Sequence, residues 1–276
     1  MVRRVDVTEI SEKEYWIESP GGRLFAESWT PRDPASNTPL ILFHDSLGCI
    51  ALWRQFPQLL AATLNRRVIA YDRLGFGRSD RRADILSRDF IAVEAAQYLP
   101  LLCEKLAIAD FIACGHSVGG GMAIWAGARF PVQCKAVISI AAQAFVEDRT
   151  LAGIRVAEKE FELPENMNRL AKYHGDKAEW VLHAWIDTWL APAFSDWNLD
   201  AALQSLRCPQ LTIHGEHDEF GSVAHPRRIA GTHGECRILQ GIGHTPHKEC
   251  PELLVEVIER WLSSADVAFA KAADDR

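Results

Sequence analysis

Short apolar runs alternate with longer amphipathic stretches along most of the chain, and this rhythm limits the fold more than any other feature. Six runs are apolar on successive residues, as expected of parallel strands that are covered on both faces. They lie at 39–44, 66–72, 110–116, 134–142, 209–215 and 236–241, after an opening hairpin at 13–19 and 22–29. Helical patterns follow at 88–106, 118–129 and 251–263. The sequence therefore predicts a mostly parallel, eight-stranded α/β sheet flanked by helices.

One segment, residues 145–205, breaks this alternation. It offers no good strand, and it carries Trp180, Trp185, Trp189 and Trp197 in helical-looking sequence. We expect a helical cap inserted over the sheet, with residues 1–144 and 206–276 forming the core. The four tryptophans either line an apolar pocket or hold the helices of the cap together.

Charge and cysteine usage exclude several classes of function. The chain has 30 Lys and Arg against 37 Asp and Glu, a formal net charge of -7, and no long basic run, so we expect no nucleic-acid partner. Neither the N-terminal residues nor any apolar run is typical of a signal peptide or a membrane span. Seven scattered cysteines without a CxxC pair indicate free thiols and a cytoplasmic protein. The ten histidines form no HExxH motif or Cys/His quartet, and we expect no metal.

The segment Gly115-His116-Ser117-Val118-Gly119 has the pattern G-x-S-x-G directly between a predicted buried strand and a predicted helix. A serine on such a turn is held in a strained backbone conformation, with small residues around it, and its hydroxyl is displayed at the carboxyl end of the sheet. Ser117 is therefore the candidate nucleophile. A serine hydroxyl reacts poorly near neutral pH, so a general base and an orienting carboxylate are also required.

Both partners are found after later strands. Asp218 lies in the loop after the strand at 209–215, and His244 lies in the loop after the strand at 236–241. The carboxyl ends of parallel strands meet at one edge of a sheet, so Ser117, Asp218 and His244 are predicted to converge there. Glu147 and Asp148, after the preceding strand, are the alternative carboxylates.

Four blocks in this order resemble the α/β-hydrolase superfamily, and the resemblance covers residues 20–263. The blocks are LILFHDSLGC at 40–49, VIAYDRLGFGRSD at 68–80, CGHSVGGGMA at 114–123, and the pair HGEHDEF and GIGHTPHKECP near the C-terminus. The resemblance implies a catalytic triad of Ser117, Asp218 and His244. It assigns only a structural loop to the second block, with its Asp72, Gly75, Gly77 and Ser79.

The resemblance also implies an oxyanion hole built from two backbone N–H groups. One belongs to Val118, the residue after the nucleophile, and the other to the loop after the third strand. The superfamily usually has His-Gly in that loop, but this chain has His44-Asp45-Ser46-Leu47. The predicted donor is the N–H of Ser46, with Leu47 or Asp45 as the alternatives.

A serine nucleophile excludes the haloalkane dehalogenases and epoxide hydrolases of this fold, which use Asp. The resemblance then implies a cofactor-independent serine hydrolase that cleaves a small carboxylic ester or related acyl compound through an acyl-enzyme. One alternative is hydrolysis of a carbon-carbon bond in a vinylogous diketone, with Arg169 as a candidate for gripping a carboxylate. Another is a ligand-binding or sensing homologue with slow turnover. The acidic, tryptophan-rich cap could also mediate a homodimer.

Overall fold

The computed structural model describes residues 9–274, with side chains up to residue 264. Eight strands form one sheet in the order β1-β2-β4-β3-β5-β6-β7-β8. The strands are β1 (Ile10–Ser19), β2 (Gly22–Pro31), β3 (Ser36–Phe43), β4 (Arg66–Asp72), β5 (Phe111–His116), β6 (Cys134–Ile140), β7 (Gln210–Gly215) and β8 (Glu235–Leu239). β1 and β2 pair antiparallel, β2 continues antiparallel onto β4, and every later pairing is parallel. The predicted fold class is confirmed.

The helices of the described chain begin and end as follows: α1 (Phe56–Leu64), α2 (Phe90–Val93), α3 (Leu99–Lys105), α4 (Val118–Arg129), α5 (Asp148–Glu160), α6 (Pro164–His174), α7 (Ala178–Leu190), α8 (Asp200–Ser205), α9 (Ala224–Ala230), α10 (Pro246–Glu249) and α11 (Pro251–Asp274). The helix predicted at 88–106 is divided into α2 and α3 by a π-helical turn, Glu94–Tyr98. Pro100 lies in the first turn of α3, where it has no N–H to donate to the preceding turn.

The sheet is buried on both faces, which explains the continuous apolar runs of its parallel strands. Ile41 and Phe43 of β3 pack into the cluster under α2, α3 and α4, whereas Leu40 and Leu42 pack into the cluster under α1 and α11. Each strand side chain therefore has a core to enter, whichever way it points.

The chain between β6 and β7 is helical, and its two ends are fastened together. Phe145 and Asn198 form an isolated antiparallel bridge, and Leu199 N–H donates to the carbonyl of Ala144 at 2.9 Å. Helices α5 and α7 pack against each other, as do α6 and α7. This helical segment lies over the carboxyl ends of the strands, because side chains of α5 and α7 line the same cavity as Ser117.

Within the described residues, no helix combines the length and the apolar character needed to cross a bilayer. All seven cysteines are free. No group of three or more His, Cys, Asp or Glu side chains in residues 9–264 is arranged to hold a metal ion.

Candidate active site

Ser117 lies on a sharp turn between β5 and α4. Its backbone has φ 54° and ψ -125°, a left-handed conformation that costs a non-glycine residue strain. Ser117 N–H donates to the carbonyl of Ile140 at 2.8 Å, which fixes the turn to β6. A side chain at Gly115 would collide with the backbone carbonyl of Gly119, and one at Gly119 would collide with that of Phe43. The small residues of the motif are therefore required by close backbone packing.

Asp218 and His244 are brought together at the ends of β7 and β8. His244 Nδ1 lies 2.8 Å from Asp218 Oδ2, and the Asp218 side chain is fully buried. The other carboxylate oxygen, Oδ1, accepts the N–H groups of Phe220 at 2.8 Å and Gly221 at 3.0 Å. Asp218 thus holds Nδ1 of His244 as a donor and leaves Nε2 as the free nitrogen.

The pKa of His244 is set by opposing effects. Burial alone would lower the pKa of the imidazole, but the hydrogen bond and the charge of Asp218 outweigh burial and raise it above 6.5. Burial would likewise raise the pKa of Asp218, yet its bond to His244 holds that pKa below the usual range. The pair is therefore a carboxylate with an imidazole that binds a proton more readily than a free histidine does.

Ser117 and His244 line one cavity of about 210 Å³. Ser117 Oγ donates a long hydrogen bond, 3.4 Å, to Oε1 of Gln143, and within residues 9–264 no hydrogen bond joins Ser117 to His244. A serine hydroxyl changes rotamer easily, and nucleophile–base contacts are often loose without substrate. Gln143, just beyond β6, was not found from the sequence because no motif marks it.

The loop after β3 is held by the side chain that replaces the usual glycine. Asp45 Oδ1 accepts Leu47 N–H at 3.0 Å, and the Asp45 carbonyl accepts Gly48 N–H at 3.2 Å and Arg73 Nη2 at 2.8 Å. Among the alternatives for the second oxyanion donor, the N–H of Leu47 is thus already engaged. Ser46 lines the cavity beside Ser117.

His116, next to the nucleophile, links this loop to the loop of the base. Its Nε2 lies 2.7 Å from the carbonyl oxygen of His244, and its Nδ1 lies 3.2 Å from Asp45 Oδ2. Both ring nitrogens therefore face oxygen atoms, and both contacts become hydrogen bonds only when the His116–Asp45 pair holds one extra proton. Burial lowers the pKa of His116, and Asp45 opposes that effect.

The alternative carboxylate Glu147 has other partners. Its oxygens accept Ser222 N–H at 2.6 Å and the Ser222 hydroxyl at 3.0 Å, and Oε1 lies 2.9 Å from His225 Nε2. Asp148 is exposed at the start of α5. The bond to His244 is made by Asp218.

The four tryptophans of the helical segment divide into two pairs. Trp185 and Trp189 line the cavity with Ile154 and Phe220. Trp180 packs edge-on against Phe76, and Trp197 packs against Trp189. Trp185 and Trp189 fit the pocket interpretation, and Trp197 fits the packing within the cap. Trp180 fits neither, because its partner Phe76 belongs to the core.

Two cationic residues near the site differ in their positions. Arg169, the candidate from the sequence, lines a neighbouring hollow with Glu160 and Tyr173 and is absent from the wall around Ser117. Lys248 of α10 does line the cavity, but no motif in the sequence singled it out.

Comparison with known proteins agrees with the fold. The family model described as alpha/beta hydrolase fold matches residues 38–181. A bifunctional esterase/perhydrolase of Acinetobacter calcoaceticus is 26% identical over 74% of this chain and 82% of its own length. A 2-hydroxymuconate semialdehyde hydrolase of Pseudomonas sp. (strain CF600) is 24% identical over 86% of this chain and 90% of its own.

A solved structure supports the same assignment of fold. The enol-lactonase of Burkholderia xenovorans LB400 superposes with a TM-score of 0.70 at 19% identity, covering 90% of this chain and 100% of that one. The resemblance inferred from the four sequence blocks is confirmed, and the chain belongs to the α/β-hydrolase fold family.

Proposed function

We propose that this protein is a serine hydrolase that cleaves a carboxylic ester or related acyl compound through an acyl-enzyme. The observation that carries the proposal is that a serine on a strained turn and a carboxylate-bonded histidine line one cavity. Relatives named as esterase and as monoglyceride lipase support this class of substrate.

In the proposed mechanism, His244 Nε2 takes the proton of Ser117 Oγ as that oxygen attacks the acyl carbon. Asp218 stabilises the imidazolium that forms, and His244 then gives the proton to the leaving oxygen. Water, activated by the same nitrogen, releases the acid and restores Ser117. No metal or cofactor takes part in these steps.

The oxyanion is held by the backbone N–H groups of Val118 and Ser46. Because Asp45 Oδ1 already accepts Leu47 N–H, the N–H of Ser46 is the favoured partner to Val118. Donors of this type contribute about 2.7–4 kcal/mol each to stabilisation of the transition state.

The experiment is steady-state hydrolysis of a panel of 4-nitrophenyl esters by the wild type and by Ser117→Ala. The proposal expects turnover that the variant loses while it remains folded. A single burst of product without turnover would favour the slow ligand-binding homologue instead.

Hydrolysis of a carbon-carbon bond in a vinylogous diketone is the second candidate. It is favoured by the relative named 2-hydroxymuconate semialdehyde hydrolase, which aligns with 86% of this chain. The same three side chains would serve, with an enolate as the leaving group. Ring-cleavage products absorb strongly, so loss of their absorbance, compared with release of 4-nitrophenol, separates the two activities.

A further inference from the structure

The wall of the cavity around Ser117 combines apolar side chains with ionisable ones. The helical segment and the loop after β7 contribute Ile154, Trp185, Trp189 and Phe220. The ionisable residues of the wall are Asp45, His116, His244 and Lys248. An ionisable group beside apolar walls affects which ligands bind, because a polar group that loses water there costs free energy unless it gains a hydrogen bond.

Three of these four ionisable groups already have partners. His244 is bonded to Asp218, and the ring nitrogens of His116 face Asp45 and the carbonyl of His244. Asp45 is bonded through Oδ1 to the N–H of Leu47.

Lys248 differs from them. Its side chain is partly exposed and forms no hydrogen bond or ion pair with any residue in 9–264. Its charge acts on Asp45: burial opposes ionisation of that carboxyl, but His116 and, less strongly, Lys248 hold its pKa below the usual range. The neighbouring carboxylate of Glu249 serves other groups, accepting the N–H of Gly243 at 2.8 Å and that of Thr245 at 2.9 Å.

A substrate that fills the cavity lies against Lys248 and displaces water from the part of its side chain that lines the wall. A neutral apolar substrate would offer the Lys248 ammonium no hydrogen-bond acceptor, whereas a carboxylate would replace the lost water with a charge-assisted hydrogen bond. Sites of this kind reject ligands that lack the matching group, because the polar atom of the protein then loses water without gaining a hydrogen bond.

We propose that the substrate carries a carboxylate and that Lys248 is the residue that selects it. This inference rests on the proposed function, since it concerns the substrate of the same cavity. Selection by Lys248 fits a half-ester or another acyl compound with a free acid group, in which the carboxylate belongs to the acyl part or to the leaving group.

The test compares near-isosteric acids and amides. One pair carries the acid or amide on the acyl part: kcat/KM is measured for 4-nitrophenyl hemiadipate and 4-nitrophenyl adipamate. The other pair carries it on the leaving group: kcat/KM is measured for 4-carboxyphenyl acetate and 4-carbamoylphenyl acetate. The quantity of interest is the acid-to-amide ratio in each variant relative to the wild type, since intrinsic reactivity cancels. Lys248→Met is expected to lower that ratio at least tenfold for one pair, the scale of a hydrogen bond to a charged group.

Two further variants separate charge from packing. Lys248→Arg keeps the charge and is expected to restore much of the acid preference. Lys159→Met removes an exposed lysine of α5 that does not line the cavity, and is expected to leave both ratios unchanged. Equal ratios in wild type and Lys248→Met for both pairs would overturn the inference while leaving hydrolysis by Ser117 intact.

Binding gives a readout that does not depend on turnover. In Ser117→Ala, adipate is expected to raise the melting temperature more than adipamide does, and Lys248→Met is expected to abolish the difference. Adipate selectivity without hydrolysis of any ester would contradict the proposed function and keep the carboxylate site. Hydrolysis of esters without selectivity for adipate would keep the proposed function and contradict the carboxylate site.

Discussion

Replacing Asp218 by Asn keeps the shape of the side chain but removes its charge and changes which atoms donate and which accept. The structure determines the orientation of the new amide. Asp218 Oδ1 accepts two backbone N–H groups, those of Phe220 and Gly221, so the amide oxygen must stay there. The amide nitrogen then faces Nδ1 of His244 and donates to it. Nδ1 becomes an acceptor, and the proton of the neutral ring moves to Nε2.

The consequence for catalysis is large, because Nε2 is the atom that must receive the Ser117 proton. A wrong tautomer of this kind costs roughly 10⁴-fold in kcat, which corresponds to about 5.5 kcal/mol. A second effect concerns the pKa of His244. Burial remains in the variant, but the hydrogen bond and charge of Asp218, which raise that pKa, are lost. The acid limb of any residual activity is therefore expected at lower pH than in the wild type.

The assay is kcat and KM for 4-nitrophenyl butyrate across pH, with circular dichroism and thermal melting to verify folding. Glu147→Gln is the matched control, since Glu147 is bonded to Ser222 and His225 rather than to His244. It is expected to affect stability more than kcat. An Asp218→Asn variant within tenfold of the wild type, with an unshifted acid limb, would refute the reasoning.

Three more outcomes are expected. In the wild type, kcat/KM should fall as the pH drops through a pKa above 6.5, because the neutral form of His244 is the base and its pKa is raised; a pH profile checks this. Asp45→Ala removes the acceptor that holds the N–H of Leu47 and so loosens the loop that carries the Ser46 donor, which should lower kcat about tenfold. Asp45→Asn keeps an acceptor for Leu47 and should retain more activity; equal losses would contradict this account. Gly115→Ala should destabilise the protein by roughly 1–3 kcal/mol in urea unfolding, since its methyl group would collide with the carbonyl of Gly119.

The sheet could be predicted because parallel strands buried on both faces leave continuous apolar runs. Six runs and the opening hairpin correspond to β1–β8 within a few residues at each end. The division of the predicted helix at 88–106 could have been suspected from Pro100, but the π-helical turn before it depends on packing. Long, strongly patterned elements are the part of a fold that local sequence specifies best.

The candidate site was predictable only where backbone topology decides it. Asp218 and His244 could be paired because strand ends converge, whereas Gln143 and Lys248 enter the cavity through side-chain directions that no spacing encodes. The reverse applies to Arg169, which has the right chemistry but lies in a neighbouring hollow. That Asp45 holds the N–H of Leu47 could not be predicted either, because this hydrogen bond depends on the conformation of the loop and no sequence motif marks it.

The measurement closest to the central claim is intact-mass spectrometry after exposure to a fluorophosphonate, with wild type and Ser117→Ala compared after both are shown to be folded. A serine activated by His244 and Asp218 should acquire one adduct in the wild type and none in the variant. An unlabelled wild type, or equal labelling of both proteins, would contradict the claim that Ser117 is the nucleophile.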